Sequence, residues 1–143
     1  MKVKIKKVHQ DATTPTYATM GSACFDLYTV DEGLVLPASA KTFSTGLAFE
    51  IPEGHVMLLF SRSGHGFNHG VRLSNCVGVI DSDSRDAVRV KLHNDRIDGG
   101  FHVVKGSRIA QAMIIALPNV GFEVCNELSD SERGIGGFGS TGA

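Results

Sequence analysis

This chain of 143 residues predicts an all-β fold, a sandwich of jelly-roll type with at most one short helix. Three observations carry that expectation: period-two alternation of apolar and polar residues, short apolar runs, and turn residues that cut those runs to strand length. Taken along the chain, Leu47, Phe49 and Ile51 alternate with Ala48, Glu50 and Pro52, which reads as a half-buried strand. Val56 to Phe60 is almost continuously apolar, as expected of a strand covered on both faces or buried between subunits. A brief helix is expected around Gly64 to His69, with two glycines weighing against it. Val88, Val90 and Leu92 alternate with Arg89, Lys91 and His93 as a second half-buried strand, and the apolar run Ile109 to Leu117 reads as another buried strand, although its length also suits a buried helix. Pro52-Glu53-Gly54, Asn94-Asp95, Asp98-Gly99-Gly100, Lys105-Gly106 and Pro118-Asn119 read as the turns between them. These elements define one domain over residues 1–128. Residues 129–143, rich in Ser, Gly and charge, read as a flexible C-terminal arm.

Composition narrows the function. A hydrophobic content of 42% suffices for one core, and a formal net charge of -1 argues against a nucleic-acid polymer as partner. A small anion gripped by local groups stays open. Cys24, Cys76 and Cys125 are odd in number and widely spaced, which points away from a disulfide framework and toward a reducing, intracellular or cytoplasmic setting. No stretch approaches the roughly 20 apolar residues of a membrane span, and the Lys-rich start lacks the apolar run of a secretion signal, so no membrane association is expected.

Two short stretches carry chemistry in their own right. Ser61-Arg62-Ser63-Gly64 follows an apolar strand and offers a guanidinium, a hydroxyl and an open backbone, a set suited to phosphate oxygens. Standing alone it reads more simply as a polar turn. Asp81 and Asp83 follow the apolar Val77, Val79 and Ile80; two apart, they would share one face of an extended chain, where a carboxylate at a buried edge can hold and activate water. The plainer alternative is an Asp-rich turn satisfying its own backbone. Between Arg133 and Gly142 glycine is too frequent for a packed element, which suits either a loop around phosphates or a disordered end.

Five segments in order, Gly21-Ser-Ala-Cys-Phe-Asp-Leu27, Ser61-Arg-Ser-Gly64, Asn75-Cys-Val-Gly-Val-Ile-Asp-Ser-Asp-Ser84, Gly106-Ser-Arg-Ile-Ala-Gln111 and Arg133-Gly-Ile-Gly-Gly-Phe-Gly-Ser-Thr-Gly142, together resemble the motif set of the trimeric dUTP pyrophosphatase (dUTPase) family. The resemblance implies Mg2+-dependent hydrolysis of dUTP to dUMP and diphosphate, which keeps uracil out of DNA and supplies dUMP for thymidylate synthesis. It further implies a homotrimer whose sites combine the first, second and fourth segments of one chain, the third of another and the arm of the remaining one. By the same resemblance Asp81 activates the attacking water, and Arg62, Ser63, Gly64, Gln111, Arg133, Gly139, Ser140 and Thr141 bind phosphates. Asn75, Gly78, Val79 and Ile80 form a β-hairpin slot for uracil, with Arg89 on the returning strand, and Phe138 stacks over the base. Asp26 and Asp83 lend support, and Cys24 acts as a small apolar residue. The metal takes no direct protein ligand and is held by phosphates and water.

One position departs from that pattern. Ser84 stands where the family has a tyrosine beneath the deoxyribose, and losing such an aromatic face is worth on the order of 1–3 kcal/mol, roughly 5- to 150-fold in binding or discrimination. Asp86 stands where glycine is frequent. Two alternatives follow: a pyrophosphatase with relaxed sugar specificity, Phe67 or Phe101 otherwise filling the gap, or a nucleotide-binding regulator with weak turnover.

Overall fold

The computed structural model describes residues 1–140 and 142, and among these it has eleven strands and one seven-residue helix. In chain order they are β1 Lys4–Lys7, β2 Phe25–Tyr28, β3 Gly33–Val35, β4 Ser39–Ser44, β5 Leu47–Glu50, β6 His55–Phe60, α1 Ser63–His69, β7 Val71–Leu73, β8 Val77–Ile80, β9 Arg89–Asn94, β10 Phe101–Val103 and β11 Arg108–Ala116. Every strand pairing is antiparallel. A four-stranded sheet runs in the order β2-β11-β6-β8 and a three-stranded one in the order β4-β9-β7, flanked by the pairs β1-β5 and β3-β10.

The core lies between the two larger sheets. Leu27, Met57, Leu59, Ile109 and Ala112 from the first share one buried cluster with Phe43, Val71, Leu73, Val90 and Leu92 from the second. Alternation in β9 explains its role: Val90 and Leu92 point inward while Arg89 and Lys91 stay in water. Asn94, read from the sequence as a turn residue, instead ends β9 fully buried. Its amide donates to the Val35 and Gly99 carbonyls at 3.2 and 3.0 Å and its oxygen accepts from Arg96 N–H, so its polar groups are all used. Ala48, taken as an outward residue of β5, is also buried, because β5 is covered on more than one side.

Gly46 shows how tightly the N-terminal strand is attached. It has φ +66°, its carbonyl accepts from Val8 N–H at 2.9 Å, and a Cβ there would lie 2.8 Å from the His9 Cβ and 3.0 Å from the Val30 Cγ1. Backbone strain and steric conflict thus coincide at this position. Gly46→Ala is expected to lower stability by about 1–3 kcal/mol, seen as a lower denaturant midpoint at unchanged slope.

Candidate active site

Strand register assembles the site. Gln111 of β11 lies opposite Asp26 of β2 on one side and Phe60 of β6 on the other, so a single row across three strands brings Asp26, Gln111 and the exit of β6 together. Past Phe60 the chain leaves the sheet through Ser61 and Arg62 into α1. The Gln111 amide donates to the Ser61 carbonyl at 3.0 Å, and Ser61 Oγ accepts from Leu73 N–H at 2.9 Å. Ser61 thus ties the start of the turn to β11 of one sheet and to β7 of the other.

Arg108 joins this row through an irregularity. In a regular strand residues three apart face opposite sides, so Arg108 and Gln111 would diverge. The register shifts between Arg108 and Ala110, however, leaving Arg108 opposite Tyr28 and Ala110 opposite Leu27. This bulge buries both Ile109 and Ala110 and returns Arg108 to the face that carries Asp26. Asp26 then sits between two guanidinium groups, with Arg108 Nη1 at 3.1 Å and Arg62 Nε at 3.6 Å. Its side chain is 13% exposed, so the pairing supplies the charge compensation that burial demands.

Around this cluster opens a cavity of about 420 Å3 lined by Ser22, Cys24, Asp26, Arg62, Ser63, Arg108 and Gln111, with Ala18 and Ala23. Two cations against one carboxylate leave it locally positive, although the whole chain is not. The cavity suits an anion. Burial, with Asp26 nearby, raises the Cys24 thiol pKa, which keeps it protonated and fits a small packing residue. Thus Asp26, Arg62, Ser63 and Gln111 come together, Gly64 follows in the first turn of α1, and Arg108, to which the sequence reading assigned no role, belongs with them.

The third segment lies elsewhere. β8 pairs with β6 in a register that sets Val77 opposite Phe60 and Ile80 opposite Met57. Asp81, the next residue, therefore falls level with Val56, at the far end of β6 from Arg62. At about 3.3 Å per residue the separation along the strand is roughly 20 Å. Within one chain Asp81 and the turn at residues 61–64 stand apart.

Three expectations about this segment need correction. Asp81 and Asp83 do not share an extended face, because the chain turns between them and Ser84 N–H donates to the Asp81 carbonyl at 3.2 Å. Nor is Asp81 at a buried edge; both aspartates are exposed. The segment is not a hydrogen-bonded β-hairpin either: β8 bonds to β6, while β9, which begins at Arg89, bonds to β4 along its length and to β7 at Leu92–Asn94. Asn75 is exposed in the turn before β8 and Val79 points outward, whereas Gly78 is buried, where a Cβ would come within 3.0 Å of the Leu59 Cβ. Ile80 and Ser84 are half-buried. Asp86 acts locally: its carboxylate accepts from Ala87 N–H and pairs with Arg89 at 2.7 Å, which holds its pKa below the usual range. Phe67 is exposed on α1, and Phe101 packs against His65 and His69.

Beyond Ala116 the described residues form neither strand nor helix. Arg133, Gly136 and Ser140 border a hollow of the arm's own turns, and Phe138 is wholly exposed. Gly139 has φ +90°, a conformation that excludes most side chains. Thr141 lies outside the described residues. Among the described residues no group of three His, Cys, Asp or Glu side chains is placed to hold a metal ion. With Asp26 already engaged by two arginines, this donor set fits an ion whose ligands come from phosphate oxygens and water.

The protein is thus an antiparallel β sandwich with a positively charged pocket at a strand exit and, apart from it, an exposed turn carrying two aspartates. The dUTPase family model matches residues 10–142, and the chain belongs to that family. It is 44% identical over 142 residues to the deoxyuridine 5'-triphosphate nucleotidohydrolase of Nautilia profundicola, covering 99% of each chain. Against the Helicobacter pylori strain 26695 protein of the same description it is 39% identical, over 99% of this chain and 97% of the other. The dUTPase of Staphylococcus bacteriophage 80alpha, solved with dUPNHPP, superposes with a TM-score of 0.92 at 27% identity, covering 99% of each chain.

Neutralising the shared carboxylate tests the cluster. Asp26→Asn leaves two arginines without their counter-ion and is expected to reduce stability by about 1–3 kcal/mol and phosphate-ligand affinity by about 10-fold or more, measured by denaturant unfolding and calorimetric titration.

Proposed function

We propose that this chain hydrolyses dUTP to dUMP and diphosphate at sites built from more than one copy of itself. The observation that carries the reading is the division of each chain into a cationic cavity and a distant acidic turn. The family match and the nucleotidohydrolase relatives support the reaction and do not favour the regulatory alternative.

In this reading Arg62, Ser63 and Gln111, with the backbone at Gly64 and the Arg108 guanidinium, draw the phosphate chain into the cavity and spread its charge over fixed donors. Asp26 keeps both arginines in place. A second copy presents Asp81, whose carboxylate takes the proton of the water attacking the α-phosphorus. Exposure of Asp81 in one chain supports this division, because its carboxylate stays free to face a surface of another copy. On that second copy Asn75, Gly78, Val79 and Ile80 receive the base, with Arg89 and Asp83 shaping the segment. Ser84 lies beneath the sugar.

Residues 129–143 form the arm of this reading. Arg133 meets the terminal phosphate, Gly139, Ser140 and Thr141 close around the phosphates, and Phe138 covers uracil. Ordering such an arm costs about 1 kcal/mol per residue, so a full triphosphate is needed to hold it. Mg2+ would be held through the substrate's phosphate oxygens and water, where it would supply positive charge to offset theirs.

A homotrimer is the assembly this reading requires. In its support, Val120, Phe122 and Val124 stand at 65%, 95% and 100% exposure, large apolar side chains that one isolated chain leaves uncovered. The free cysteines fit a reducing intracellular setting. No helix among the described residues is long and apolar enough to cross a membrane.

The test is diphosphate release from each deoxy- and ribonucleoside triphosphate, with Mg2+ added or chelated. dUTP is expected to be preferred, and equal rates across the bases would overturn the substrate. Asp81→Asn should lower kcat at least about 100-fold while dUTP affinity stays within about threefold; unchanged turnover would remove Asp81 from its role.

A further inference from the structure

His65 occupies the first turn of α1, beside the residue that opens it. Arg62 is extended at φ −81° and ψ 133°, and its carbonyl accepts from the N–H groups of His65 and Gly66 at 3.1 Å each. The same turn brings the His65 ring back onto the Arg62 side chain, with Nη1 3.2 Å from Nε2. A guanidinium carries donors only, so Nε2 must accept and the ring proton must reside on Nδ1. Nδ1 is buried without a partner among the described residues. The ring also meets Phe101 of β10 edge-on at 5.0 Å, and His69 packs on the same Phe101 at 5.2 Å.

The groups around this ring fix its charge. Arg62 and His69 approach from its own helix and Arg108 from β11, while Asp26 of β2 is engaged by the two arginines. Burial first, then these cations, pushes the His65 pKa down to about 4. At neutral pH the imidazole is uncharged and its Nε2 lone pair is free to accept.

We propose that His65 is a positioning residue for Arg62, its neutral Nδ1–H tautomer anchoring the guanidinium that faces the phosphate cavity. Arg62 then has three fixed points: Nε toward Asp26, and Nη1 shared by the Arg108 carbonyl at 3.3 Å and His65 Nε2. None of these contacts uses Nη2, which leaves it for an anion. Holding a long side chain in one geometry before the ligand arrives removes an ordering cost that binding would otherwise carry. Protonated His65 would turn a donor toward Arg62 and release it. The inference rests on the reading of the cavity as a phosphate site.

Two variants and one spectrum test it. His65→Leu keeps bulk without an acceptor, and His65→Gln offers a carbonyl oxygen in place of Nε2. At pH 7.5 the Leu variant is expected to raise KM for dUTP about 3- to 10-fold, the weight of one net hydrogen bond, with kcat within about twofold. The Gln variant should lie within about twofold of the native KM. In the 15N spectrum of the intact protein the His65 ring should carry its proton on Nδ1 and titrate near pH 4, not near the ordinary value of about 6.5. A proton on Nε2, an ordinary titration, or a Leu variant kinetically identical to the native protein would overturn the proposal. A native protein inactive on dUTP would instead overturn the functional reading, since the tautomer and titration are measured without substrate.

Discussion

The carboxylate of Asp26, held between Arg62 and Arg108, is the interaction on which the arrangement of the site depends. It joins a strand, a strand exit and a bulge, and it does so only because β2, β11 and β6 meet in one register. A shift of one residue in β11 would turn Gln111 into the core and its apolar neighbours into the cavity. The apolar cluster between the sheets excludes that shift, since Ile109, Ala110 and Ala112 are all buried. Core packing thus sets the register, and the register sets the charges.

The same strand that ends in the proposed phosphate-binding turn separates it from the proposed base. β6 carries Arg62 beyond one end and, through its pairing with β8, Asp81 level with the other. A rigid sheet has no means to bring its own two ends together. Joining the two would take the acidic turn of one copy set against the cavity of another, which is the assembly proposed for the dUTP site. The uncovered Val120, Phe122 and Val124 fit the same logic.

Much of this was legible in the sequence, for reasons that differ by element. Period-two alternation located β9, and unbroken apolar runs located β6 and β11, because those strands face a core whose demands appear directly in residue type. β3, β7 and β10, of three residues each, are too short to leave a periodic trace. Asn94 misled because a buried amide serving a loop backbone has the same identity as one in a turn. In the site, Arg62, Gln111 and Asp26 were found through their segments, but Arg108 was not. Its spacing of three from Gln111 places it on the wrong face of any regular strand, and only the bulge corrects this. The hairpin expected around Asn75 to Arg89 failed because β8 pairs with β6 in one sheet while β9 pairs with β4 and β7 in the other. No local pattern records that.

The central claim is that the cationic cavity and the catalytic carboxylate of one active site belong to different copies of the chain. It is tested by complementation: Arg62→Ala and Asp81→Asn proteins, each inactive alone, are unfolded together in equal amounts and refolded. If trimers form at random and each site takes Arg62 from one chain and Asp81 from its neighbour, about one quarter of the native sites are restored, and diphosphate release should recover to about that level. Recovery of no activity from the mixed trimers would place both residues in a site within one chain and contradict the account.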